Sequence, residues 1–131
     1  MLKTKSVFSP IDQKEDGFRI LVARFRGRGM PTGRYDVWMP SLGPSEKLLK
    51  GFLSNQVSWT QFSHDYREEL FMDGPIDLHC KTIKNHGQKF TLRLIKYLAR
   101  NGTVTLMCQC PEEERECHRH ILKEIIESKL V

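Results

Sequence analysis

The sequence predicts a small α/β domain: a short, mostly parallel sheet flanked by helices in a Rossmann-like, three-layer arrangement. Three observations predict it. FRILVARF, Phe18 to Phe25, is apolar and β-branched with few charges, as a strand buried on both faces must be. Thr103 to Met107 is a second run of that kind. Between them lie segments with apolar residues at helical spacing. A helix between consecutive strands favours parallel pairing by right-handed crossover. The 131 residues are the usual size of one domain, so 1–131 is read as a single unit around one core.

Each element follows from local pattern. Lys5 to Phe8 is short and β-like, and a polar turn runs from Pro10 to Gly17. The strand Phe18 to Phe25 ends in a glycine-rich basic loop, RGRGMPTGR. SEKLLKGFL places Leu48, Leu49, Phe52 and Leu53 on one helical face behind Ser45 as N-cap. SWTQFSHDYREEL opens with Ser58 and has Gln61 three residues on, a capping-box pattern. Its Trp59, Phe62, Tyr66 and Leu70 share a face. Asp73 to Gly87 is the least readable stretch; Pro75 is read as opening a short helix that carries Ile76, Cys80 and Ile83. Gln88 to Arg100 is a helix with Phe90, Leu94, Tyr97 and Leu98 assigned to its core side. Asn101-Gly102 stops it. The chain closes with a helix from about Cys117 to Lys129, whose core set is Ile121, Leu122, Ile125, Ile126 and Leu130. Three strands are few, so a further strand is expected near Trp38 or in the unclear stretch.

Composition limits the function classes. A hydrophobic fraction of 39% and a charged fraction of 28% fit a folded soluble chain. No apolar run approaches the ~20 residues that cross a bilayer, and the start lacks the apolar core of a signal peptide. A cytoplasmic location without membrane contact is expected. Thiols there stay reduced, so Cys80, Cys108, Cys110 and Cys117 are read as metal ligands, reactive thiols or buried apolar residues before disulfides. The net charge of +5 favours anionic partners.

Ligands of open parallel sheets bind beyond the carboxyl ends of the strands. There the first strand delivers Arg24, Arg26, Arg28 and Gly29, and the second delivers Cys108. Glycines let backbone N–H groups approach a phosphate, and guanidinium adds a bidentate fork; a flexible basic turn is the plainer alternative. Cys117 and His118 lie four residues before Ile121 and Leu122, so both turn inward at a helix start. A thiol there should have a lowered pKa. Arg119 in the first turn opposes the helix dipole, which fits service to an anion; pairing with Glu112, Glu113, Glu114 or Glu116 is its rival. The same stretch offers zinc ligands in Cys108, Cys110 and Cys117, with His118 and His120 nearby. Against zinc stand the tight CxC spacing and the adjacency of Cys117 and His118. Burial of Cys108 is a further alternative. Lys89, Arg93, Lys96 and Arg100 form a cationic stripe on one helix, either a solvated face or a track for nucleic acid.

TKSVFSP, EDGFRILVARFRGRG, YDVWMPSLGPSEKLLKGFL and SWTQFSHDYREEL, followed by a strand ending in Cys108 and by CHR at 117–119, resemble domain-of-unknown-function family 488 over nearly the whole chain. The resemblance implies a fold and a site position rather than a reaction. The family's recurring positions correspond to Arg24, Arg28, Gly29, Trp38, Pro44, Ser45, Cys108, Cys117, His118 and Arg119. The loop before CHR is slightly longer than usual here, and Cys110 stands near a position that is commonly acidic.

Three readings follow. The first is an anionic, phosphate-bearing ligand held by Arg24, Arg26, Arg28, Gly29, Arg119 and Cys108, with Cys117 as a low-pKa thiol and His118 as an acid-base or orienting group. No cofactor belongs to it. The second is a nucleic-acid-binding module, and the third a zinc-stabilised structural domain. An uncovered edge strand in so small a sheet leaves room for a homodimer.

Overall fold

The structure is a computed structural model and describes residues 1–74 and 86–131. The short helix expected after Pro75, with Ile76, Cys80 and Ile83, lies outside the described residues. The sheet contains β1 (Leu2–Ser6), β2 (Phe18–Leu21), β3 (Val37–Trp38) and β4 (Val104–Cys108) in the order β1-β4-β2-β3. Every pair is parallel. β3 is the further strand expected near Trp38. The helices are α1 (Gln13–Asp16), α2 (Glu46–Leu53), α3 (Trp59–Phe71), α4 (Lys89–Arg100) and α5 (His118–Glu127).

β4 is buried along its whole length, as its place between β1 and β2 requires. Alternate side chains go to opposite faces. Ile20, Val22, Val104 and Leu106 join Leu48, Phe62, Tyr66, Leu92, Ile95, Leu122 and Ile125 in the main core beneath α2 to α5. Leu21, Ala23 and Met107 meet Val7, Tyr35, Cys108 and Cys117 in a smaller cluster. On that side a thinner layer comes from α1 and the segment around Arg34. Thr105 Oγ1 donates to the Asp16 carbonyl (2.6 Å), Arg19 donates to Gly33 and Asp36, and Arg34 donates to the Val7 carbonyl.

The caps match their residues. Ser45 Oγ accepts from the Leu48 N–H, and Ser58 Oγ accepts from the Gln61 N–H. Two expectations are corrected. Phe90, Leu94, Tyr97 and Leu98 are exposed; the buried face of α4 is Leu92 and Ile95, with Ala99 packed against them. The helix has two apolar arcs, and the one with smaller side chains fits against the sheet. Leu130 is also exposed, because α5 stops at Glu127 and the chain leaves the core.

Asp16 sits buried against β1. Lys5 Nζ donates to both its carboxylate oxygens (2.9 and 3.1 Å), and the Asp12 N–H donates to Oδ2 (3.0 Å). Burial alone would raise this carboxyl, but Lys5 and the Asp12 N–H outweigh it and the pKa is lowered. A lowered folded pKa contributes stability above the unfolded value of about 3.9, lost as pH falls through the folded one. The urea midpoint should therefore drop on acidification below that range. Asp16→Asn should flatten this acid limb and lower the midpoint at neutral pH. An acid limb unchanged in the variant would assign the dependence to other groups.

Candidate functional site at the β2 and β4 ends

β2 and β4 run side by side with Ile20 opposite Leu106 and Leu21 opposite Met107. The ladder continues with the Val22 N–H donating to the Met107 carbonyl (2.8 Å). The arginine loop and the cysteine loop therefore leave the sheet at the same edge. Gln109 ties them together: its Nε2 donates to the Phe25 carbonyl (3.1 Å) and the Arg26 carbonyl (2.6 Å). Sequence reasoning missed Gln109. Its signal is an amide directly after an apolar strand, where a side chain can reach the neighbouring strand's loop.

Gly27 and Gly29 take φ of 75° and 77°, the left-handed region that favours glycine. A Cβ on Gly29 would meet nothing, so turn geometry rather than crowding selects it. Arg26 donates to Tyr35 Oη (3.0 Å) and lies over the Trp38 ring at 5.5 Å. Trp38 is held in turn by donation from its indole N–H to the Ala23 carbonyl (2.8 Å). Arg24 and Arg28 are exposed and make no hydrogen bond or ion pair among the described residues, although the Arg24 charge acts on the Glu46 carboxylate.

The cysteine half is built around α5. Cys117 occupies its N-cap position and, with His118, turns inward as the helical phase requires; they are 2% and 6% exposed. Cys108 Sγ is 3.9 Å from Cys110 Sγ and 4.0 Å from His118 Nδ1. The sulfurs of Cys108, Cys110 and Cys117 all lie within 4.8 Å of one another, and all three thiols are free. His118 Nε2 is 2.8 Å from the Val22 carbonyl. A carbonyl can only accept, so Nε2 carries the proton and Nδ1 presents its lone pair toward Cys108. Burial pushes the imidazole below its usual range and keeps it neutral. The Tyr66 ring meets His118 nearly edge-on at 5.6 Å, and the Tyr66 hydroxyl is anchored on the Leu42 carbonyl.

Two roles change. The three thiols act on one another, and the lowering falls on Cys108 rather than on Cys117. Bonds from the Cys110 and Cys117 thiols, helped by the Cys110 and Gln109 N–H groups, hold Cys108 at about 3 against the cost of burial. The Cys108 sulfur pushes Cys117 up instead. Arg119 is fully buried and serves the protein itself. Its Nη1 donates to the Cys110 carbonyl (3.1 Å), and its Nη2 donates to those of Pro111 (3.0 Å) and Glu112 (3.3 Å). The Glu112 carboxylate stands 3.7 Å away, so the acidic rival of the ligand reading is partly what is found. His120 turns away from His118, with Nε2 at 3.0 Å from the Glu114 carbonyl.

A cleft of about 200 Å³ reaches Cys110, Cys117 and His118, with Phe52, Glu114 and Glu116 among its other walls. None of the loop arginines lines it. A larger groove, about 930 Å³, lies elsewhere, between α2 and α3. Among the described residues no helix is long and apolar enough to cross a membrane.

The model of the family described as "Active DUF488-N3 subclade" matches residues 2–130. The chain is 32% identical over 104 residues to the uncharacterized protein YeaO of Escherichia coli K12, an alignment covering 78% of this chain and 86% of that protein. No solved structure matches. The parallel sheet, the arginine loop after β2 and the CHR at the start of α5 are thus features of a member of the DUF488 family, to which this chain belongs.

Proposed function

We propose that the protein binds an anionic, phosphate-bearing ligand on the loop from Arg24 to Gly29. One observation carries this reading: Arg24 and Arg28 are exposed and, among the described residues, make no hydrogen bond or ion pair, on a loop that Gln109, Tyr35 and Trp38 hold in place. Arg26 and Arg119 serve that framework and are not the ligand's primary contacts. A guanidinium pair on a pinned loop loses less freedom on binding than two free surface side chains, which favours affinity. The acidic side chains Glu114 and Glu116 along the cysteine cleft direct the anion to the arginine side. The nucleic-acid reading is weaker, because Lys96 of the cationic stripe is spent on the Ser128 and Val131 carbonyls (2.8 Å each).

Inorganic pyrophosphate is a suitable probe, titrated calorimetrically into the reduced, metal-free chain. Binding should weaken as salt rises. The double replacement Arg24→Ala and Arg28→Ala should reduce affinity by about tenfold or more, since charge-assisted hydrogen bonds are worth ~1.5–3 kcal/mol each. Equal affinity in wild type and double variant, or no binding by either, would remove this reading.

A further inference from the structure

We infer that Cys108, Cys110 and Cys117 form a zinc centre, with His118 Nδ1 as the fourth ligand. The inference is independent of the anion reading. Three sulfurs arrive from separate places: the end of β4, the following loop and the N-cap of α5. A tetrahedral ion with Zn–S bonds near 2.3 Å sets sulfurs ~3.8 Å apart, and with Zn–N near 2.0 Å a nitrogen ~3.5 Å from each sulfur. The Cys108–Cys110 separation is 3.9 Å, and Cys108 Sγ to His118 Nδ1 is 4.0 Å. Three of the four donors already share one 4.8 Å cluster; His118 Nδ1 lies outside it, beside Cys108, and closing the site requires it and the sulfurs to draw together.

The surroundings match what a ligating histidine needs. Such a residue almost always gives its other ring N–H to a carbonyl or carboxylate, which fixes the tautomer and aims the free nitrogen. His118 does this toward the Val22 carbonyl, on the strand beside β4. The Tyr66 ring packs against the imidazole nearly edge-on. Arg119 clamps the carbonyls of Cys110, Pro111 and Glu112, so the loop carrying the second sulfur is positioned before any ion arrives. The cleft that reaches Cys110, Cys117 and His118 supplies an entry path. The sequence-based objection that Cys117 and His118 are adjacent is met by their places: a cap residue and a first-turn residue, both turned inward. On binding, each ligating thiol releases its proton to solvent, and no electron is transferred.

Cobalt(II) is the probe. Titrated into the reduced, metal-free full chain, it should give thiolate-to-cobalt charge-transfer absorption with the strong ligand-field bands of a tetrahedral ion. The signal should saturate at one equivalent, and zinc should abolish it. Cys110→Ser suits the second arm because Cys110 is only half-buried. With its far-ultraviolet circular dichroism unchanged, it should bind at least ~10-fold more weakly, with reduced charge-transfer intensity. His118→Gln should shift the ligand-field bands. Absence of the charge-transfer band in reduced wild type would overturn the centre, and so would an unaltered spectrum and affinity in Cys110→Ser. Pyrophosphate binding is measured without metal, so either proposal can fail alone.

Discussion

Arg119→Met is expected to cost about 1.5–3 kcal/mol of folding stability, the range for losing hydrogen bonds to a charged group. Methionine fills much of the volume, so the loss measures hydrogen bonding more than cavity formation. The Cys110 and Glu112 carbonyls lose this donor, while that of Pro111 keeps the Glu114 N–H. Pro111 and Glu112 are exposed and Cys110 half-buried, so water replaces part of what the guanidinium supplied. Arg119→Lys should recover only part, since one ammonium cannot reproduce the planar fork across three acceptors. The measurement is urea unfolding, with amide hydrogen exchange over residues 109–116 as a local readout. The variant should lose protection there even where the rest of the fold is intact. A loss under ~1 kcal/mol with unchanged exchange would return Arg119 to the ligand, because surface and site residues rarely carry stability of this size.

Arg119 also shows where reading the sequence stops. Its unfavourable position against the helix dipole is visible in the chain, and it correctly marks an arginine with a special task. Which anion or carbonyl it meets depends on the path of residues 109–116, whose turns carry no periodic signal. The inward turn of Cys117 and His118 was legible because helical phase is rigid: Ile121 and Leu122 lie four residues on and are buried. The shared edge of the arginine and cysteine loops was legible too, since it needs only two parallel strands. Convergence of the Cys108, Cys110 and Cys117 sulfurs was not, because it depends on how the six residues between Cys110 and Cys117 turn.

The inverted face of α4 has another cause. Phe90, Leu94, Tyr97 and Leu98 outweigh Leu92, Ile95 and Ala99 in apolar bulk, so a pattern weighted by hydrophobicity points the helix outward. Packing against β4 selects by fit, and the smaller aliphatic arc lets the helix approach the strand. β3 escaped definition because two residues carry no alternation. Its pairing is set by the Asp36 N–H on the Arg19 carbonyl and the Met39 N–H on that of Leu21.

Gly17→Ala should be the most damaging of the small substitutions, at about 3–5 kcal/mol from backbone strain and overpacking together. Gly17 takes φ 62° and ψ −134°, outside the regions open to side-chain-bearing residues. A Cβ there would stand 2.7 Å from the Thr103 carbonyl carbon and 2.8 Å from its Cβ, with the carbonyl oxygen closer still. That carbonyl accepts the Phe18 N–H (2.9 Å), the first rung between β2 and β4. The glycine therefore does more than turn the chain: it lets β2 enter flush against β4 in the register that places Val22 opposite His118 and the arginine loop beside Gln109. Gly33→Ala is the matched control, with open space at its Cβ and no positive φ, and should change stability by under ~0.5 kcal/mol. Urea midpoints of the two variants settle the comparison. If Gly17→Ala folds but pairs less well, the cobalt and pyrophosphate signals should weaken together, because both sites depend on the β2–β4 register. Equal midpoints for the two glycine variants would show that the close approach at Thr103 yields without cost, and the register would then have to be set by the strand side chains alone.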